Sequence, residues 1–383
     1  MMKTLIINGK VITPEVIVNN ASVLCENGII KDIIPVAKPE ILADKIIDAQ
    51  QNYISPGFID MHVHGGGGAD IMDGSVEAVI KVARTHKKYG MTSFVPTTLT
   101  SSVEKIKKAV LSVEEVMQSG CDGARVLGIH LEGPFLSMEY KGAQNPKYLI
   151  RPTIENYQNI SGGSINVLRV SMAPEIEGAF ELSEYLIDKG ILLSVAHSKS
   201  DYQTMEKAAK HGFSHVTHMF NGMGGRESPE YYCRAGVVES ALLLDDYKAE
   251  VICDGRHVPP EMIKLLYKCK GKDNMTLTTD AMRAADMPEG EYEIGGLSVL
   301  VTDGVAMLSD KTSFAGSVAT VDRLVRNAVQ NVGFDLVETI NMVSLNVAKQ
   351  IGWGNRIGSI EKGKWADIII FNHNIDVIHV ITK

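Results

Sequence analysis

Cysteine is scarce and unpaired in this 383-residue chain. The five thiols, Cys25, Cys121, Cys233, Cys253 and Cys269, are odd in number, and no two stand in CxxC spacing. That argues against a disulfide framework or a zinc finger and for reduced thiols in a cytoplasmic protein. Long apolar runs are also missing, since no stretch approaches the ~18 residues needed to cross a bilayer. The opening MMKTLIINGKVI has a three-residue apolar run, too short for a signal-peptide core. Nor is there an excess of basic charge. Thirty-eight Lys and Arg against 46 Asp and Glu leave a net charge of −8, a poor basis for holding a nucleic-acid backbone. We therefore expect neither nucleic acid nor membrane as a partner. A small anionic substrate remains compatible, because one local arginine outweighs a diffuse charge. The chain contains no internal repeat and no low-complexity segment.

At 45% hydrophobic and 22% charged residues, the composition is that of a folded globular protein. The length suits two or three domains of about 150 residues, or one (β/α)8 barrel with additions. Both chain ends read as short strands. Thr4–Ile7, Val11–Ile12, Ala21–Cys25 and Ile29–Ile34 are punctuated by Asn8-Gly9 and Asn27-Gly28, and Ala366–Phe371 is a β-branched run.

The middle repeats strand and helix. Eight apolar runs are expected as strands: Phe58–His64, Thr92–Thr98, Val126–Gly133, Asn166–Glu175, Ile191–His197, Ser214–Phe220, Ala249–Gly255 and Met275–Ala281. Stretches such as Val76–Tyr89, Val103–Met117, Phe180–Lys189, Asp201–Lys210 and Pro260–Lys268 carry helical spacing between them. After the eighth run a hairpin-like insert turns at Asp303-Gly304, and helical segments follow at Val318–Val332 and Leu336–Gln350. The fold class expected is α/β, a (β/α)8 TIM-like barrel over residues 55–353. A small β-sandwich would be built from both termini, residues 1–54 plus 354–383.

Metal-competent side chains cluster at the C-terminal ends of these runs, where barrel enzymes keep their active sites. Run 1 ends His62-Val63-His64, and residues two apart on a strand share a face. The glycines that follow either leave room for a ligand or are equally only a flexible loop. Glu132 ends run 3 before Gly133-Pro134, His197 ends run 5, His218 ends run 6 and Asp280 ends run 8. Any one alone is equally an ordinary loop or core residue. His130 suits a supporting position within the barrel, His215 packing or the surface, and His211 a helix end. Together, His62, His64, Glu132, His197, His218 and Asp280 form a metal-ligand set on five strand ends. Imidazole and carboxylate without thiolate suit zinc foremost, and also iron, manganese, cobalt or nickel. One arrangement has two ions, with His62 and His64 on the first, His197 and His218 on the second, and Glu132 bridging. The other has a single ion on Glu132, His197 and His218. In either, metal-activated water can attack an amide while Asp280 takes the proton and returns it to the leaving amine.

PGFIDMHVHG opening the barrel and GSIEKGKWADIIIF closing it resemble the amidohydrolase superfamily. Within it, GIHLEGPF, KGAQNP, VAHS, THMFNGM and TTDAM resemble the N-acetylglucosamine-6-phosphate deacetylases over nearly the whole chain. The resemblance implies deacetylation of N-acetylglucosamine 6-phosphate, with Glu132, His197 and His218 as ligands and Asp280 as the acid/base. It implies a phosphate site at Asn221, Gly222, Arg226 and His257, with Arg234 a rival to Arg226. It also implies a homodimer in which His257 reaches a neighbour's substrate. Many members carry a carbonyl-orienting histidine in KGAxNP where this chain has Gln144, which can donate a hydrogen bond but cannot carry a proton. Alternatives are an N-acetylgalactosamine-6-phosphate, N-acyl or cyclic-amide hydrolase, or a barrel that binds without catalysis. Run 4 offers no lysine to bridge two metals after carboxylation, which weighs against the cyclic-amide branch.

Overall fold

The computed structural model describes residues 2–228 and 232–383. Eight parallel strands form the barrel: β1 Phe58–Val63, β2 Met91–Thr98, β3 Ile129–Glu132, β4 Val167–Met172, β5 Leu192–Val195, β6 Phe213–Val216, β7 Lys248–Ile252 and β8 Met275–Thr278. The short strand Arg125–Val126 adds to β2. The barrel closes where the end of β8 meets the end of β1. Val63 bridges Ala281, and the Asp280 N–H donates to the His62 carbonyl at 3.1 Å. The site residues of the first and last strands are thus brought side by side.

All eight expected runs are strands, and the main departures lie at their C-terminal ends. His197, His218 and Asp280 each stand two residues past their strands, with φ of 45°, 29° and 48°. A left-handed backbone is unfavourable for residues with a Cβ and persists where surrounding structure enforces it, commonly at functional sites. Helices cover the outside of the barrel. In Val76–Lys87 the Ser75 side chain accepts from the Ala78 N–H, and Val79, Val82 and Ala83 face inward. Each fully buried valine contributes about 1.5–3 kcal/mol relative to exposure. The expected helix over Leu336–Gln350 is two helices, Leu336–Met342 and Leu345–Gln350. The break frees the Val343 carbonyl to accept from the Ile59 N–H of β1 at 2.7 Å.

Seven strands from both chain ends form one hydrogen-bonded sheet with its own apolar cluster around Ile6, Val23, Ile54 and Ile368. Asn8-Gly9, expected as a turn, lies within the continuous strand Lys3–Ile12 as a bulge. Such a bulge bends a strand. Here the first half pairs with Lys45–Asp48 and the second with Tyr53–Pro56. The insert after β8 is a three-stranded antiparallel sheet, Gly290–Ile294, Leu297–Thr302 and Val305–Leu308, turning at Asp303-Gly304 as expected. Among the described residues, no helix is long and apolar enough to cross a membrane.

Candidate active site

At the C-terminal mouth of the barrel lies a cavity of about 220 Å³. Its floor includes His64, Glu132, His197, His218 and Asp280, and its walls include Leu99, Gln144, Phe220, Ile252, Ile294 and Phe314. His62 is fully buried directly beneath, its Nε2 3.1 Å from that of His64.

The Glu132 carboxylate is the centre of the constellation. Oε1 lies 3.0 Å from His218 Nε2 and 3.4 Å from His197 Nε2, and Oε2 lies 3.3 Å from His64 Nε2. Two sets of donor atoms, His62/His64/Glu132 and Glu132/His197/His218, each fall within 4.8 Å of one another and share this glutamate. Asp280 Oδ1 completes the ring at 3.1 Å from His64 Nε2 and 3.4 Å from His62 Nε2. All six residues read from the sequence as metal-competent therefore converge.

The far side of each imidazole decides its tautomer. Nδ1 faces the Glu250 carboxylate in His62 (2.8 Å) and backbone carbonyls in the others: Thr97 for His64 (3.2 Å), Tyr140 for His197 (2.8 Å) and Asn221 for His218 (3.2 Å). Those oxygens only accept, so every Nδ1 carries its hydrogen and donates, and every Nε2 points into the cluster. Four aimed nitrogens around a buried carboxylate are a donor set that fits a divalent cation.

The electrostatics agree. Burial works against the imidazolium of His62, but Glu132, Asp280 and Glu250 outweigh it and hold the pKa well above the ordinary value. Burial also opposes the charge on His64, yet hydrogen bonds to Asp280 and Glu132 lift it to about 9. Burial raises the carboxyls of Glu132 and Asp280, but the facing histidines more than reverse this and leave both below the usual range. The buried carboxylates and imidazoles thus favour one another's charged forms.

Several supporting residues escaped the sequence reading. Asp60 accepts from the His62 N–H (3.0 Å), the Thr279 N–H (2.9 Å) and the hydroxyls of Thr278 and Thr279, bracing β1 against β8. Glu250 and Arg169 are fully buried under His62. The signal for both was a charged residue inside an apolar strand run, which needs a partner to be stable there. His130, expected in support, is buried between Ser171 (2.7 Å) and Thr97 (3.2 Å), and burial together with Arg169 holds its pKa well below the ordinary value. His215 packs beside Ser194 and Arg169, also as expected.

Residues 53–383 match the Amidohydrolase family. The chain is 36% identical over 380 residues to the N-acetylglucosamine-6-phosphate deacetylase of Bacillus subtilis, covering 97% of this chain and 94% of that one. It superposes on the crystal structure of the Pasteurella multocida N-acetylglucosamine-6-phosphate deacetylase with a TM-score of 0.91 and 32% identity, covering 100% and 98% of the two chains. The chain belongs to the amidohydrolase family. A mutant of the Mycobacterium smegmatis deacetylase, solved in complex with N-acetyl-D-glucosamine-6-phosphate, aligns at a TM-score of 0.90 and 26% identity over 100% of this chain and 97% of that one.

The remaining expected site residues of this amidohydrolase divide. Gln144, Asn221, Gly222 and His257 line the cavity. Gln144 donates to Glu132 Oε2 at 2.8 Å and accepts from the Thr100 N–H at 2.8 Å, so one of its amide hydrogens is committed to the central carboxylate. The His257 Nδ1–H donates to Asp254 at 2.9 Å, and its ring stacks on Phe314. It faces the cavity of its own chain, where the resemblance implies a reach towards a neighbour. Arg226 does not line the cavity. It is exposed, with its guanidinium 2.7 Å from Cys233 Sγ. Arg234 borders a separate groove with Glu139, Glu175 and Lys199.

The glycines after His64 do not make room for a ligand, and none of them lines the cavity. A Cβ on Gly65 would stand 2.5 Å from the Ala69 carbonyl, and one on Gly66 2.8 Å from His86 Nε2, so they allow close approach of backbone and ring. A glycine that does matter to the site is Gly222, which lines the cavity. Its φ is 58°, and a Cβ there would lie 2.6 Å from His197 Nδ1. Gly222→Ala is expected to push His197 off its Tyr140 hydrogen bond and lower metal affinity at least about tenfold. Metal retention under a graded chelator series checks this, and unchanged retention would refute it.

Proposed function

We infer that this amidohydrolase removes the acetyl group of N-acetylglucosamine 6-phosphate, giving glucosamine 6-phosphate and acetate. The observation that carries the reading is Asp280 standing 3.1 Å from His64 beside two metal-competent groups that share Glu132, all at the floor of one cavity. A divalent ion held there supplies a Lewis acid that polarises the amide carbonyl and makes water acidic near neutral pH. His197, His218 and Glu132 would hold one such ion, and His62, His64 and Glu132 a second. Zinc is the leading candidate, and iron, manganese, cobalt or nickel also suit these donors.

The chain's own residues carry the protons. Asp280 is held as a carboxylate by the neighbouring histidines. It takes a proton from the attacking water as the C–O bond forms, then delivers it to the amide nitrogen as the C–N bond breaks. The amine therefore leaves neutral. Gln144 has one amide hydrogen left for the substrate carbonyl. Leu99, Ile252, Ile294 and Phe314 supply apolar walls that limit water around the acyl group.

For the phosphate end we propose Asn221, Gly222, His257 and Arg226, with Arg226 swinging from Cys233 to meet the ligand. Arg226→Ala is expected to raise KM for the 6-phosphate sugar about 10- to 100-fold, the worth of a hydrogen bond to a charged group. KM for the unphosphorylated sugar should stay unchanged. Equal effects on both sugars would place the phosphate elsewhere, with Arg234 next in line. A cytoplasmic homodimer belongs to the same proposal, and sedimentation at working concentration tests the dimer.

The deciding experiment measures acetate release from N-acetylglucosamine 6-phosphate, its galactosamine epimer and unphosphorylated N-acetylglucosamine, with metal content read on the same sample. Preference for the phosphorylated glucosamine, with one or two ions per chain, supports the reading. Preference for the epimer reassigns the substrate. No release by metal-loaded protein refutes deacetylation.

A further inference from the structure

The four histidines of the site are not braced alike. Three direct Nδ1–H at neutral backbone carbonyls, but His62 directs it at a carboxylate, Glu250 Oε1, at 2.8 Å. The same oxygen accepts the backbone N–H of His218 at 3.1 Å, and Oε2 takes a hydrogen bond from Arg169 at 2.6 Å. Arg169 in turn donates to Thr217 (2.7 Å) and Ser194 (3.0 Å), and both members of the ion pair are completely buried.

A barrel interior is normally filled with branched apolar side chains. An ion pair in that position is weak evidence for stability, because apolar residues of similar volume often do as well or better. Its geometry offers a different purpose. A carboxylate behind an imidazole fixes ring orientation and makes the opposite nitrogen a stronger donor. We propose that Glu250, held in place by Arg169, is a positioning residue that commits the His62 Nε2 to a second metal ion. The same oxygen ties this bracing to the backbone of His218, a ligand of the first ion in the reading above, on which this inference rests.

The test removes the buried charge from both partners, so that no unpaired charge is left behind. E250M/R169M deletes the acceptor. E250Q/R169M keeps a neutral amide oxygen facing His62. Wild type and both variants are equilibrated in zinc buffered by a chelator series, and ions per chain are counted. In E250M/R169M the second ion is expected to bind about 10- to 100-fold more weakly, while the first is retained. E250Q/R169M should recover most of that loss. Equal second-ion affinity in all three proteins overturns the proposal, as does equal weakening in both variants. If E250M/R169M does not fold, E250L/R169M takes its place, because it too deletes the acceptor without leaving an unpaired buried charge. Selective loosening of the second ion supports the proposal, and unchanged affinity overturns it. Deacetylation by a wild type holding a single ion keeps the proposed reaction and overturns this inference. Two ions with no deacetylation fails the reaction, and the variants still decide the role of Glu250.

Discussion

Asp280→Asn is expected to lower kcat by about 10² to 10⁴, the range supplied by a positioned acid or base, with metal content nearly unchanged. Asparagine is the informative replacement for two reasons. The residue sits at φ 48°, a conformation that Asn tolerates better than most side chains. Its backbone is also structural: the N–H donates to the His62 carbonyl, and the carbonyl accepts from the Ser317 N–H at 2.7 Å. The substitution keeps these contacts and removes the negative charge together with the capacity to take up and return a proton. A variant that keeps full turnover would end the acid/base role. One that loses metal along with turnover would make Asp280 primarily a ligand. Since the amine is the poorer leaving group, substrates with more acidic leaving groups should be hurt less, and that comparison isolates proton delivery from metal binding.

The barrel was legible in the sequence because strand and helix alternate with different hydrophobic periods, and all eight apolar runs are strands. Their ends were harder to read. His197, His218 and Asp280 lie within apolar runs, so periodicity carries the strand through them. The backbone instead turns left-handed at these three residues themselves, a tertiary constraint that no local pattern announces. Asn8-Gly9 failed for the opposite reason. It is a strong local turn signal, but pairing on both sides of Lys3–Ile12 absorbs it as a bulge.

The ligand constellation could be assembled from strand-end positions alone, because a parallel barrel gathers every strand end at one mouth. What orients those ligands could not be seen. The tautomers depend on the carbonyls of Thr97, Tyr140 and Asn221, which any residue could supply, and on Glu250, which lies 188 positions from His62. The direction in which Arg226 points was equally invisible: the arginine stands where the motif puts it, and its side chain rests on Cys233, outside the cavity.

Glu132→Gln should be the most damaging single change at the metal centre. Both donor groups contain this carboxylate, whereas each histidine belongs to only one. Losing its charge weakens the hold on either ion and leaves His62 and His64 facing fewer counter-charges. It also turns one hydrogen-bond donor towards another where the new amide nitrogen faces Gln144. We expect metal affinity to fall by more than about hundredfold, beyond the 10- to 100-fold typical of a supporting residue, with turnover lost in proportion. His62→Asn removes a ligand of one group only. It should spare the ion on Glu132, His197 and His218, leaving about one ion per chain and measurable activity if that ion suffices for the reaction. Metal analysis of the two variants side by side separates the cases. Loss of both ions in Glu132→Gln and of one in His62→Asn would establish the shared carboxylate. Retention of both ions and of turnover by Glu132→Gln would refute its central role and leave the histidines as the principal anchors.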